Sequence, residues 1–494
     1  MPATMPAIEW WPTVPIVLLA AAGITILLTD LIGGERGPML SLLMAILGMG
    51  AALIVVTQRR WIPVDAATFG QFVRYDSLGR WGAIAVLSGG CLVALISPRT
   101  IEIHGLPPSE YYALLVFAVF GMVVLCLALE LFTIFLAVEI IAVAIYILVG
   151  LNRNSTQSTE AALKYFVLGA FSGGFLIFGF AFLYGGAGGS TVLGQIGFSM
   201  LRMDLVWGVG CLVLGLAFAL AGFAFKLTVV PFHLYAADVY EGAPTPVAAL
   251  LATGSKVAGF IALVHLLVPF HEHIHAALRA MAADLRSVLW LFAALSIVIG
   301  NVVALLQRNI KRMLAYSSIA HSGYLLMAVV VFVGGSVRLV DVEQAMLVYL
   351  IAYILMNVAA FGVVASLGAR GEGNIEEYAG LAQQSPALAF MMAVAMLSLT
   401  GIPATVGFVG KFFVFARAVE AGYVMLVVLA VLGSVVSAYY YLRVIVFMYM
   451  RDPAGESSVE PLGVIQQLGL VLASAPIVVF GVFPNVLVSL LSNI

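Results

Sequence analysis

Apolar runs of about twenty residues recur along the whole chain, and none of them alternates with polar residues. That pattern narrows the possible folds more than any motif does. A helix needs roughly 20 apolar residues to cross the roughly 30 Å hydrocarbon core of a bilayer. Only helices and closed barrels satisfy their backbone there, and barrel strands alternate apolar with polar side chains. Composition agrees, since 63% of the 494 residues are hydrophobic and 9% are charged, against about 25% charged in soluble domains. The expected fold is all-α and polytopic, with fourteen transmembrane spans. They fall at 13–32, 38–57, 78–97, 111–129, 131–151, 162–186, 205–230, 247–270, 286–306, 312–334, 343–368, 386–416, 421–447 and 463–490.

An even number of spans puts both termini on one side. Lys and Arg divide almost equally between the two sets of loops, so charge bias assigns no orientation. The net charge of −2 gives no reason to expect a nucleic-acid partner or a polybasic surface helix. The first apolar run follows no basic n-region and is expected to stay as a span. Cys91, Cys126 and Cys211 all fall inside apolar runs with no ligand spacing, which predicts buried free thiols. The polar insertion "QRRWIPVDAATFGQFVRYDSLGR" has room for a short hairpin at the membrane surface. The glycine cluster "GGAGGS" at 185–190 follows a span rather than a strand, so it reads as a connection and not a nucleotide fingerprint.

The chemistry lies in the few charges inside the spans. Of five lysines, Lys226, Lys256 and Lys411 sit within or beside apolar runs. Lys256 is about ten residues into its span, and Glu139 is equally central in "LFTIFLAVEIIAVAIYILVG". A charge at that depth costs roughly 2.5–3.5 kcal/mol on insertion scales, and such residues mark ion or proton paths. The alternative for Lys256 and Glu139 is a structural ion pair, which is weak evidence for stability because desolvation can exceed the Coulombic gain. Lys226 and Lys411 lie nearer the ends of their runs, where snorkelling to the interface is the alternative.

Prolines sharpen the reading. Pro231 follows Lys226 by five residues and is expected to break the helix, and Pro403 precedes Lys411 in "LTGIPATVGFVGKFFVF". Interrupted helices in corresponding halves of a chain point to a transport site. His233 and His321 are candidate proton relays, with hydrogen-bonded core histidines as the alternative. His265 reads as a core histidine, and "HEHIH" at 271–275 as a solvated boundary loop rather than a metal site.

Three segments carry a family resemblance: "FKLTVVPFHLYAADVYEGAPTPVAALLATGSKVAGF", "KRMLAYSSIAHSGY" at 311–324 and "LSLTGIPATVGFVGKFFVF" at 397–415. In this order they closely resemble the antiporter-like subunits of respiratory complex I, and the likeness covers nearly the whole chain. Lys411, the end of the chain after span fourteen and "EEYAGLAQQSPALA" resemble the N-type branch, known as the ND-two type in mitochondria. Tyr235, Ala237 and Ala404 depart from the family's usual His-Leu-Trp-Ala-Pro-Asp and Gly-Ile-Pro-Pro, which bears on geometry at both breaks.

The resemblance implies fourteen helices with two inverted five-helix repeats and discontinuous helices. The implied parts are an N-terminal segment at 1–110, repeats at 111–270 and 286–447, and a C-terminal span at 463–494. It also implies proton translocation through Glu139, Lys226, Lys256 and Lys411, with Glu139 pairing with Lys226 and with His233 and His321 as relays. No cofactor or metal is expected in this chain. FMN, iron–sulfur clusters and quinone are expected in partner subunits of the membrane arm and its redox arm, and lipids around the spans. The implied location is a bacterial plasma membrane, with the termini on the periplasmic side. The alternative functions are a cation/proton antiporter subunit of an Mrp-type or hydrogenase-linked complex, or a ferredoxin-dependent NDH subunit. A purely structural membrane subunit is the third.

Overall fold

A computed structural model describes residues 9–29, 37–200, 205–272, 276–368, 372–453 and 461–491, with the side chains of 198–200, 205–207, 271–272 and 276–280 left out. The "HEHIH" cluster therefore falls outside the described side chains. The helices begin with α1 (Trp10–Leu27), α2 (Gly37–Thr57), α3 (Ser77–Ile96), α4 (Pro98–His104), α5 (Pro108–Leu127), α6 (Leu131–Val149) and α7 (Thr156–Gly186). There follow α8 (Leu193–Met200), α9 (Leu205–Lys226), α10 (Ala236–Gly242), α11 (Thr245–Ala252), α12 (Gly254–Glu272), α13 (Ala276–Leu306) and α14 (Ile310–Gly334). The last are α15 (Leu339–Ser366), α16 (Leu381–Gln384), α17 (Pro386–Thr400), α18 (Val406–Glu420), α19 (Val424–Met450), α20 (Val464–Val482) and α21 (Pro484–Leu491).

Thirteen helical spans among the described residues are long and apolar enough to cross a membrane. The remaining expected span, the twelfth at 386–416, is instead two fifteen-residue halves, α17 and α18. At 1.5 Å per residue each half reaches about 22 Å, too short to cross alone. The expected surface hairpin is present: β1 (Ala67–Thr68) pairs antiparallel with β2 (Val73–Arg74). It marks one side of the bundle, and α1 starts there, with the Glu9 amide donating to Thr68 Oγ1 at 3.3 Å.

Burial sorts the rods. Over one 18-residue apolar stretch of each, the span made of α11 and α12 is 100% buried, α15 94% and α14 89%, whereas α7, α19 and α20 are only 33% buried. A helix apolar all round and buried all round belongs in the core, so α11, α12, α14 and α15 form the axis. The peripheral helices turn large apolar side chains such as Phe171, Phe178, Leu432 and Val464 outward. Cys126 is buried, while Cys91 and Cys211 are half-buried, and all three thiols are free.

Candidate functional site

Both interrupted helices end in the same backbone motif. Beyond Lys226, the last residue of α9, the Thr228 amide donates to Phe225 O at 3.0 Å and the Val229 amide to Ala224 O at 2.8 Å. This is a Schellman ending, and its left-handed residue is Thr228 at φ 54°. A β-branched residue at positive φ is an outlier that costs free energy and clusters at functional sites. The helix therefore stops at Lys226–Thr228, ahead of Pro231, where the proline had been expected to break it. Without an N–H, Pro231 helps keep the chain non-helical until Ala236. One freed donor is satisfied across the bundle, the Val230 amide donating to Ser296 Oγ at 3.0 Å.

The second break repeats the pattern. The Gly401 amide donates to Ser398 O at 2.9 Å and the Ile402 amide to Leu397 O at 3.1 Å, with Gly401 at φ 91°. Ala404, where the family commonly has proline, adopts φ 68°. A proline ring locks φ near −65°, so this departure changes the backbone path. Tyr235, the other departure, donates its hydroxyl to Phe225 O at 2.9 Å and stacks on the Phe225 ring at 4.2 Å. It thereby ties the end of α9 to the start of α10. Ala237 is buried within the first turn of α10.

A Schellman ending still leaves carbonyls facing out of the half-helix, at the negative end of its dipole. In the second break a lysine occupies that position directly. Lys411 Nζ on α18 donates to Leu399 O at 3.0 Å and Thr400 O at 2.8 Å, and to Ser434 Oγ at 3.3 Å. In the first break the contact runs through one hydroxyl. Ser322 Oγ donates to Leu227 O at 2.7 Å and accepts from Lys256 Nζ at 2.7 Å. Lys256 Nζ also donates to Ser318 O at 2.6 Å. Lys256 is 0% exposed, Lys411 5% and Lys226 6%. Neither Lys256 nor Lys411 has a carboxylate within ion-pair distance among the described residues, which leaves the structural ion-pair alternative for Lys256 without a partner.

His321 lies between these two lysines. Its Nδ1 is 2.7 Å from Tyr349 OH and its Nε2 3.4 Å from Tyr441 OH, and Tyr441 is hydrogen-bonded in turn to Ser317. Tyr353 lies 5.1 Å from the His321 ring and 6.0 Å from Lys256 Nζ. Tyr324 lies 5.6 Å from the His321 ring and 5.2 Å from Lys411 Nζ. Tyrosines suit both tasks, because the ring face attracts a cation while the hydroxyl carries a hydrogen bond. Tyr324 OH extends the network by accepting from Asn301 Nδ2 at 3.1 Å, and Asn301 Oδ1 accepts from Tyr440 OH at 3.0 Å. The result is a polar seam from the α9 break to the α17 break inside an apolar bundle, made of hydrogen-bonded clusters that meet where the Tyr353 and His321 rings pack.

Two expected members are placed differently. Glu139 is only half-buried, on the outer side of α6 against α7, where a Cβ at Gly173 would meet its Oε1 at 2.6 Å. The described residues include no ion pair between Glu139 and Lys226 within 4.0 Å, so the expected pairing of the two has no direct contact here. His233 lies in the break, half-buried, and its Nδ1 has no hydrogen-bond partner among the described residues. Among the described residues no hydrogen bond or ion pair joins His233 to the lysines or to His321. His265 is buried as expected, but its Nε2 is 3.0 Å from Asp76, a partner 189 positions away that no local pattern announces.

The residues sequence reasoning passed over are mostly hydroxyls: Ser318, Ser322, Tyr349, Tyr353, Ser434 and Tyr441. One signal was available in the hydroxyl-rich "YSSIAHSGY" inside an otherwise apolar span. No group of three or more His, Cys, Asp or Glu arranged for a metal occurs among the described residues.

The profile of the family described as "NADH:quinone oxidoreductase/Mrp antiporter, TM" matches residues 128–437, more than half of the chain. The NADH-quinone oxidoreductase subunit N of Trichlorobacter lovleyi is 38% identical over 483 residues, covering 96% of this chain and 94% of that protein. The subunit N of Paramagnetospirillum magneticum is 36% identical over 97% of this chain and 96% of its own length. Among solved structures, a chain of respiratory complex I from Thermus thermophilus superimposes with a TM-score of 0.79 at 32% identity, covering 96% of this chain and 98% of that one. A chain of the Mrp complex from Dietzia sp. has a TM-score of 0.76 at 18% identity, covering 97% and 95%, a likeness of fold alone. On this evidence the chain is an integral, multi-pass membrane protein that belongs to the NADH:quinone oxidoreductase/Mrp antiporter family, within its NADH-quinone oxidoreductase subunit N branch.

Proposed function

We propose that this chain moves protons as a membrane-arm subunit of a bacterial NADH-quinone oxidoreductase, with Lys226, Lys256 and Lys411 as carriers. His321 serves as the relay between the last two. Glu139 biases the charge on Lys226 from the periphery, and His233 takes part from the α9 break. Residues 111–270 and 286–447 act as two repeats, each holding one break. The observation that carries this reading is Lys256: it is fully buried, has no carboxylate partner among the described residues and is held by Ser318 O and Ser322 Oγ. An ammonium so placed is poorly explained by stability, since its desolvation is not repaid by an ion pair. It is well suited to gain and lose a proton.

Moving one charge against 100 mV costs roughly 2.3 kcal/mol. The redox steps that supply this energy are assigned to partner subunits, carrying flavin and iron–sulfur clusters and reducing a quinone with electrons from NADH. The near full-length likeness to subunit N proteins supports this over the Mrp-type antiporter, where the likeness is of fold alone. The test is Lys256→Met in the assembled complex, reconstituted in vesicles. Proton pumping is expected to fall while assembly persists. Wild-type pumping by a fully assembled variant would refute the carrier role, and loss of assembly alone would favour a structural subunit.

A further inference from the structure

The lysine seam makes no use of the consecutive basic residues Lys311 and Arg312, which begin α14. Their place is unusual on physical grounds. The first turn of a helix is its positive end, where cations are disfavoured, and Asn309 already caps it by accepting from the Lys311 amide at 2.9 Å and the Arg312 amide at 3.1 Å. Tertiary partners explain both side chains. Arg312 Nη1 donates to Asp238 Oδ1 and to Glu241 Oε2, each at 2.7 Å, and both carboxylates belong to α10. Gln307 Oε1 accepts from Arg312 Nε at 3.3 Å and orients the guanidinium. Lys311 Nζ donates to Ala243 O at 2.7 Å, in the link between α10 and α11. The other oxygen of Asp238 accepts from Lys164 Nζ on α7 at 2.6 Å, and Lys164 also pairs with Glu160 at 2.7 Å.

Two neighbouring residues of α14 thus grip α10 and the loop that follows it. The elements so joined are those the seam depends on. α10 resumes the chain after the break that begins at Lys226, and the same α14 rod presents Ser318 and Ser322 to Lys256, and Ser322 to Leu227 O. We propose that Lys311 and Arg312, with Asp238 and Glu241, form a clamp that holds α10 in register with α14 and so positions the Lys226 break against the Lys256 site. These are positioning residues for proton transfer, acting through the backbone between 227 and 244. The inference rests on the lysine seam being the proton route.

Burial works against charge on Asp238, but Lys164 and Arg312 hold its carboxyl below the ordinary value, so Asp238 stays charged at neutral pH. A polar cavity of about 120 Å³ lies beside it, lined by Gln157, Glu160, Lys164, Asp238 and Glu241, with room for about four waters. Arg312 is 29% exposed and Asp238 35%, so each contributes as a partly exposed ion pair.

The test uses the assembled complex in vesicles, with Asp238→Asn, Asp238→Glu and the Lys256→Met control, each normalised to the amount of complex. Asp238→Asn is expected to lower the pumping rate about fivefold, the shift that follows from losing its two partly exposed charge pairs, with Arg312 and Lys164. Its pumping pH profile should also move, because the Lys226 surroundings change, and Asp238→Glu should restore both rate and profile. A merely structural residue would lower the yield of complex and leave rate per complex and pH profile alone, which would overturn the clamp. Loss in Lys256→Met beside wild-type pumping in Asp238→Asn overturns the clamp only. Wild-type pumping in Lys256→Met overturns the route itself. Should Asp238→Asn fail to assemble, Glu241→Gln removes one of the two Arg312 acceptors and takes its place, with the same rate and profile as readout.

Discussion

Replacing Glu372 by Gln removes one negative charge from a site where four elements meet, and its effect can be worked out from the structure. Glu372 follows α15. Its Oε1 is 3.7 Å from Lys311 Nζ and its Oε2 3.5 Å from His104 Nε2, while Thr245, at the start of α11, donates to it. Its backbone carbonyl accepts from Asn309 Nδ2 at 3.0 Å. Burial alone would raise the carboxyl, but Lys311 foremost, with His104 and Thr245, brings it down from 4.5 to about 2. A depression of that size corresponds to roughly 3 kcal/mol favouring the folded arrangement. Removing one partner of a fully buried pair costs roughly 3–5 kcal/mol, and with Glu372 21% exposed the lower end, about 3, applies. The folded value lies below the unfolded one. The contribution is therefore complete above pH 4.5 and is lost as pH falls from there toward about 2.

The Gln amide keeps an acceptor for Thr245 and removes only the charge. Hydrogen exchange of the assembled complex, read by mass spectrometry at residues 243–246 and 309–313, is the assay. Protection there is expected to drop roughly 100-fold in Glu372→Gln at neutral pH. Unchanged protection would refute the reasoning, because the remaining Lys311 contact to Ala243 O would then suffice to hold the junction.

Ser322→Ala removes the hydroxyl shared by Lys256 and Leu227 O, a loss of roughly 1.5–3 kcal/mol for a hydrogen bond to a charged group. Pumping should fall at least about tenfold, and a wild-type rate would separate the α9 break from Lys256. Lys411→Met leaves Leu399 O and Thr400 O without their cation and should abolish pumping in a complex that still assembles; retained pumping would remove Lys411 from the carriers. Gly407→Ala sets a Cβ against Ser398 O and within 2.7 Å of Met356 Sδ. Overpacking of this kind costs roughly 1–3 kcal/mol or more, so the melting temperature of the complex should fall, and an unchanged value would mean α18 can shift. Glu139→Gln should reduce pumping less than Lys256→Met, since Glu139 is half-buried and acts on Lys226 over a distance; an equal or larger loss would show a closer coupling.

The membrane class, the spans and the interruptions near Pro231 and Pro403 were legible because each depends on local chemistry. Apolar length selects a spanning helix, and proline and glycine punctuate it wherever they occur. The hairpin at 67–74 was legible for the same reason. Less was legible about why the first break comes where it does. Thr228 carries the left-handed turn that ends α9, and nothing in threonine's preferences predicts φ 54°. The partners of the charges were legible least. His265 finds Asp76, Lys311 finds Glu372 and Arg312 finds Asp238 and Glu241, at separations of tens to hundreds of residues.

Sequence by itself determined that this chain crosses a membrane many times, that its lysines are too few and too deep to be solubilising, and that two spans are interrupted. Those outcomes follow from transfer free energies and backbone chemistry, which act residue by residue. Only the tertiary structure decided that Lys411 meets the end of α17 directly, that Lys256 reaches the end of α9 through Ser322, and that Glu139 sits at the periphery. These depend on which helix faces lie together. In a bundle whose faces are nearly all apolar, hydrophobic pattern carries no information about helix neighbours. There, helix contacts are selected by close packing and by the requirement that every buried polar group find a partner.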